Sequence, residues 1–185
     1  RVDAYTPLEE TLRALEDLVR SGKVRYVGYS NWPAWMAGLA VGIQAARDWT
    51  PFTAAQMYYS LVGRDVERDT VPLMNEAGVG MMVWSPLAGG FLTGRYSRED
   101  PTGGGKGRLK DFDFLPTDRE KGWRLIDEMA AVARERGAKI SQVALAWLLA
   151  KPWATTILLG ASKLSQLDDN LKAADLELTK EEVQA

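Results

Sequence analysis

The sequence predicts an α/β protein of parallel strands, and three observations carry the prediction. Segments of helical periodicity alternate with short β-branched and aromatic runs, in four strand-then-helix steps along 185 residues. Strands joined through a helix run parallel, because the helix carries the chain back to the starting end. Hydrophobic residues make up 46% of the chain, enough to bury one core, with residues 1–185 expected to form a single domain. This alternation fits a doubly wound sheet or a (β/α)8 TIM barrel, and four strands are half of the latter, which takes roughly 250 residues.

Each element has its own signal. Thr6 is expected as a helix N-cap, with Pro7 at the first helical position and Glu9 closing a capping box. Leu8, Leu12, Leu15 and Val19 then share one face, and Gly22 supplies the stop. Residues 24–29 read as the first strand. Pro33 opens a second helix, with Met36, Leu39, Ala40 and Ile43 at helical spacing as far as Asp48. Residues 53–59 form the second strand, residues 69–77 a helix that ends at Gly78, and residues 79–84 the third strand.

A polar, glycine-rich stretch at residues 94–116 reads as an active-site loop. Within it, Gly103 to Gly107 does not meet the G-x-x-x-x-G-K-[ST] pattern of a phosphate-binding P-loop. Thr117-Asp118-Arg119-Glu120 is a capping box for a helix that ends at Gly137, and Ser141 is expected to cap another that Pro152 terminates. Residues 155–159 are the fourth strand, followed by a helix carrying Leu164, Leu167 and Leu171. Thr179-Lys180-Glu181-Glu182 is a last capping box. The chain opens at Arg1 without a methionine and stops at Ala185, so both ends read as cuts.

Composition narrows the chemistry. A net charge of −2 with no basic run argues against nucleic acid as a partner. No run approaches the roughly 20 apolar residues of a membrane span, and no signal peptide opens the chain. Cysteine is absent, which excludes disulfides and thiol nucleophiles and suits the cytoplasm. Histidine is absent too, so Ser-His-Asp catalysis and the usual zinc sites are excluded.

The informative residues cluster at strand C-termini, where α/β barrels build their sites. They are Val27-Gly28-Tyr29-Ser30-Asn31, Gln56-Met57-Tyr58-Tyr59, Trp84-Ser85-Pro86-Leu87-Ala88-Gly89-Gly90 and Gly160-Ala161-Ser162 with Gln166 and Asn170. Gln142-Val143-Ala144-Leu145-Ala146-Trp147 adds a helical motif, of which Gln142 and Trp147 are assigned to packing. Singly, each has an ordinary reading: Ser30-Asn31 as a helix cap, Trp84 as one of seven tryptophans in a core, Arg95 and Arg108 as solvated charges.

In this order the motifs resemble the aldo-keto reductase family, including its potassium-channel β-subunit branch. The resemblance implies a (β/α)8 barrel of which this chain supplies the C-terminal half. It also implies an NADP-dependent reduction of small aldehydes or ketones, with NAD as the alternative cofactor. Ser30, Asn31 and Gln56 match the residues that hold the nicotinamide carboxamide, and Trp84 matches the aromatic residue that stacks on its ring. Ser85, Pro86, Leu87, Ala88 and Gly89 match the pyrophosphate wrap, over which Arg95 and Arg108 would close. Gly160 and Ser162 fall at a helix N-terminus suited to the 2′-phosphate. Gln166, Asp169 and Asn170 would face the adenine.

Two departures stand out. Many relatives carry a cation at Ser162, whereas here it is Lys163, one position on. The family's catalytic tyrosine, lysine, aspartate and histidine come from the N-terminal half, and the histidine's place falls just before Arg1. This chain by itself is therefore expected to hold cofactor and to catalyse nothing, with no catalytic residue and no metal ligand of its own. A cofactor-sensing regulatory module, like the channel β-subunits, is one alternative. A non-catalytic half-barrel that assembles as a homo-oligomer is another.

Overall fold

The structure is a computed structural model and describes residues 3, 5–101 and 119–184. In chain order its regular elements are α1 (Leu8–Arg20), β1 (Val27–Ser30), α2 (Ala34–Arg47), β2 (Phe52–Tyr58), α3 (Thr70–Ala77) and β3 (Gly80–Trp84). There follow α4 (Arg119–Glu135), α5 (Ile140–Leu149), β4 (Ala154–Ile157), α6 (Leu164–Leu171) and α7 (Lys180–Gln184). Short 3₁₀ turns occupy Asp65–Glu67, Ala88–Thr93 and Lys172–Asp175. The strands form one sheet in the order β1-β2-β3-β4, each reached from the last through at least one helix. That is the parallel alternation the sequence predicts. No described helix is long and apolar enough to cross a membrane.

The chain divides into two compact units, Arg1–Met57 with Asp65–Met82, and Tyr58–Arg64 with Val83–Ala185. In the first, β1 and β2 pair in parallel with Ser30 opposite Gln56, and the register slips by one residue between Val27 and Gly28. A Cβ at Gly28 would lie 2.3 Å from the Ala54 carbonyl oxygen, so the slipped register admits only glycine there. Gly28→Ala should therefore force the two strands apart and cost about 2 kcal/mol of stability. A chemical melt of the full-length variant with an unchanged midpoint would contradict this.

Hydrogen bonds to nearby residues moved several boundaries. Thr6 does not cap α1: its hydroxyl donates to the Asp3 carboxylate at 2.5 Å, and Pro7 takes the cap position. Asp3 also accepts the Tyr5 N–H at 3.0 Å. The Thr6 hydroxyl, then the Tyr5 N–H, hold the Asp3 carboxyl below its usual range. β1 begins at Val27 rather than residue 24, because the Lys23 and Val24 N–H groups donate to Leu18 O, closing the end of α1.

Buried Glu16 ties the end of α1 to the start of β2. It accepts the Thr50 N–H at 2.7 Å and Arg20 Nε at 2.6 Å, while Gln44 Nε2 donates to Thr50 O at 2.8 Å. The Thr50 N–H, followed by Arg20, holds the Glu16 carboxyl below the usual carboxylate range.

In the second unit the core gathers Ala88, Phe91, Leu92, Tyr96, Trp123, Ile126, Met129, Val143 and Ala144. Phe91 and Trp123 pack within it with ring centroids 5.0 Å apart at a 53° tilt. Ser141 does not cap α5: it is buried inside the helix, and the capping role falls to the Gln142 side chain, which accepts the Lys139 N–H at 2.9 Å. The capping box at Thr179 forms as expected, with the Thr179 N–H on Glu182 at 2.7 Å and the Glu182 N–H on Thr179 Oγ1 at 3.2 Å. Trp147 Nε1 donates to Val183 O at 3.0 Å, docking α7 on α5. The capping pair Thr117-Asp118 lies outside the described residues.

Candidate functional site

Strand parity decides which residues are available for chemistry. In β2 the side chains of Ala55 and Met57 are buried, while Ala54, Gln56 and Tyr58 remain half-buried. In β1 Val27 and Tyr29 are buried, and Ser30 is half-buried. β3 repeats the pattern, with Met81 and Val83 buried and Gly80, Met82 and Trp84 half-buried. A period of two therefore puts Ser30, Gln56 and Trp84 each on the less covered face of its own strand. Ser30 and Trp84 are also the last residues of their strands.

In the first unit, Ser30, Asn31 and Gln56 come together. Ser30 is in register with Gln56, and the Asn31 N–H donates to Gln56 O at 3.2 Å. Asn31 adopts φ of 51°, in the left-handed region that asparagine tolerates best among non-glycine residues. A hydroxyl at the end of β1 is thus in register with a side-chain amide two residues before the end of β2, and together they offer both donors and acceptors.

In the second unit, the segment after β3 is tightly wound. Ser85 and Ala88 have φ of 52° and 47°, and Gly89 and Gly90 follow at 65° and 98°. Each left-handed non-glycine residue costs about 1–2 kcal/mol, a cost met here by internal bonding and by the core beneath. The Ala88 N–H donates to Ser85 O at 2.9 Å, the Gly89 N–H to Ser85 Oγ at 3.3 Å, and the Gly90 N–H to Leu87 O at 2.9 Å. Pro86 and Ala88 are buried, Leu87 packs on the core, and the Tyr96 hydroxyl donates to Gly89 O at 3.4 Å. Ser85 accepts from Gly89 and so keeps its own hydroxyl hydrogen to donate. Arg95 is exposed, whereas Arg108 lies outside the described residues.

Trp84 is met by Tyr58, with ring centroids 5.3 Å apart at 48°. Tyr59 points elsewhere: it is fully buried and packs on Trp147 at 5.7 Å.

At the start of α6, Gly160, Ser162 and Lys163 are exposed. The Gln166 side-chain oxygen accepts from Ser162 N at 3.0 Å, Ser162 Oγ at 3.1 Å and Lys163 N at 3.2 Å. Gln166 therefore caps its own helix through that oxygen, and Lys163 leaves an exposed ammonium beside it. Asp169 is paired with Lys139 and, at 3.8 Å, with Lys172. The Lys139 hydrogen bond is the main cause that holds its carboxyl below the usual range. Asn170 is buried.

The sequence reading missed Lys139 and the bridging role of Gln142, whose Nε2 donates to Asp169 O at 2.7 Å. A glutamine three residues after Lys139 was the available signal for the cap. Nothing local signals the reach from α5 to α6. Among the described residues no group of acidic side chains is arranged to hold a metal ion.

The model of the aldo/keto reductase family matches residues 1–185. The chain is 35% identical over 180 residues to the uncharacterized oxidoreductase YrpG of Bacillus subtilis, covering 97% of this chain and 53% of that protein. It is 33% identical to the versiconal hemiacetal acetate reductase of Aspergillus parasiticus, across 100% of this chain and 53% of the relative. It is also 37% identical to a putative voltage-gated potassium channel subunit beta of Schizosaccharomyces pombe, across 95% of this chain and 52% of the relative. The chain spans about half the length of the curated relatives it matches.

Proposed function

The chain belongs to the aldo/keto reductase family, and from that premise we propose that the protein reduces a small aldehyde or ketone, with this chain as its NADPH platform. The observation that carries the reading is Ser30 in register with Gln56, with Asn31 bonded to the Gln56 backbone. A carboxamide needs one acceptor for its N–H groups and one donor for its oxygen, and a hydroxyl beside an amide supplies both. The bound cofactor would supply the hydride. The residues of this chain bind and orient.

The second unit, taken by itself, carries residue types that the same reading expects. Trp84 offers a half-buried flat ring for stacking. Because the Ala88, Gly89 and Gly90 N–H groups are engaged inside their turn, a pyrophosphate would draw on the Ser85 hydroxyl and Arg95 instead. Lys163, with Ser162 beside it, is the cation nearest in sequence to the expected 2′-phosphate site. NADPH-driven reduction and a chain without cysteine both suit the reducing cytoplasm.

Titrating the full-length protein with NADPH, following tryptophan fluorescence, and assaying an aldehyde panel tests this reading. Absence of binding overturns it. Binding without turnover of any carbonyl favours the second reading, a cofactor-sensing regulatory subunit, which the channel-subunit relative supports. Lys163→Ala should weaken NADPH by about 1 kcal/mol, roughly fivefold, and leave NADH nearly unchanged, since only NADPH carries the extra phosphate. Equal losses for both cofactors would show that Lys163 contacts something else.

A further inference from the structure

Tyr58 ends β2 two residues after Gln56, so both side chains fall on the less covered face of that strand. Its ring is held from several directions. A Cβ at Gly63 would lie 2.3 Å from Tyr58 Cε1 and 2.8 Å from Cζ, so the Gly63 backbone abuts one edge of the ring. Gly63 is itself pinned, because the Ser60 N–H donates to Gly63 O at 3.2 Å and the Gly63 N–H returns to Ser60 O at 3.0 Å. Fully buried Ser60 places its Oγ 3.2 Å from the Tyr58 hydroxyl. The Tyr58 ring also packs against Trp84, with centroids 5.3 Å apart and a 48° tilt.

We infer that Tyr58 is a positioning residue, which fixes the plane of the Trp84 indole on which the nicotinamide stacks. A strand-terminal indole that is only half-buried has two torsions to settle, and a ring packed 5.3 Å away restricts them. The inference rests on the proposed cofactor reading. It adds a residue whose effect passes through Trp84.

The test uses the full-length protein. Tyr58→Leu should change the near-ultraviolet circular dichroism of the protein without cofactor, and the change should vanish in a Trp84→Phe background, because the coupled pair is already broken there. Tyr58→Leu should also weaken NADPH about fivefold and lower kcat by about tenfold at saturating cofactor, while Tyr58→Phe stays within about twofold of wild type. Should Tyr58→Leu not fold, Gly63→Ala serves in its place, since its methyl displaces the same ring and should give the same signature.

Wild-type protein that binds NADPH, beside a folded Tyr58→Leu with unchanged dichroism, affinity and kcat, overturns the brace alone. A drop in melting temperature with affinity and kcat intact assigns Tyr58 to packing and overturns it equally. Failure of the wild type to bind NADPH overturns the cofactor reading, and the positioning role falls with it.

Discussion

Residues 1–185 purified alone should oxidise no NADPH with any aldehyde and should not melt as a compact monomer. Hydride addition to a carbonyl leaves an alkoxide that needs a proton, and a positioned general acid contributes typically 10²–10⁴-fold. The chain contains no histidine. Of the tyrosines at the end of β2, Tyr59 is fully buried and Tyr58 has its hydroxyl beside Ser60. On the structural side, β1 and β4 are the outer strands of the sheet among the described residues, and outer strands are the ones open to further pairing. Near β4, Leu158, Leu164 and Leu171 are exposed. Self-association should hide such surface, so a homo-oligomer is the expected form in solution. Light scattering and a thermal melt, alongside the NADPH assay, decide the matter. Robust turnover, or a sharp cooperative melt from a strict monomer, would overturn the expectation.

Trp84→Ala in the full-length protein should weaken NADPH by about 1–3 kcal/mol, a loss of roughly 5- to 150-fold. The loss combines stacking with the burial of a large flat surface on cofactor binding. Trp84→Phe should recover most of it, because a phenyl ring keeps a stacking face. NADH should suffer as much as NADPH, since the nicotinamide end is common to both, which separates this site from Lys163. Unchanged affinity for Trp84→Ala in a fluorescence or calorimetric titration would remove Trp84 from the site.

Much of the fold was legible because its signals are local. Glycine or αL stops, prolines at helix starts and β-branched runs placed four strands and their helices in the right order. Boundaries slipped where a competing partner nearby took the group that a local rule had assigned. Thr6 turned to Asp3 and abandoned its cap. Lys23 and Val24 gave their N–H groups to Leu18, shortening β1. Ser141 went into the core, and Gln142 capped α5 in its place.

The candidate site divides along the same line. That Ser30, Gln56 and Trp84 lie on the less covered faces of their strands was legible from the sequence, because a period of two is a property of the chain itself. The ligand-facing role expected of Asp169 meets a carboxylate already paired with Lys139, thirty residues away in sequence. The backbone donors expected around Ala88 are engaged within their own turn. The clamp of Gly63 and Ser60 on Tyr58, and of Tyr58 on Trp84, has no sequence signature at all. Sequence alone determined the class of fold, the family and the strand-end residues, since these follow from periodicity and ordered motifs. Only the tertiary structure decided which of those side chains are held, and by what, because hydrogen-bond partners and ring contacts depend on distances between segments that no local pattern encodes.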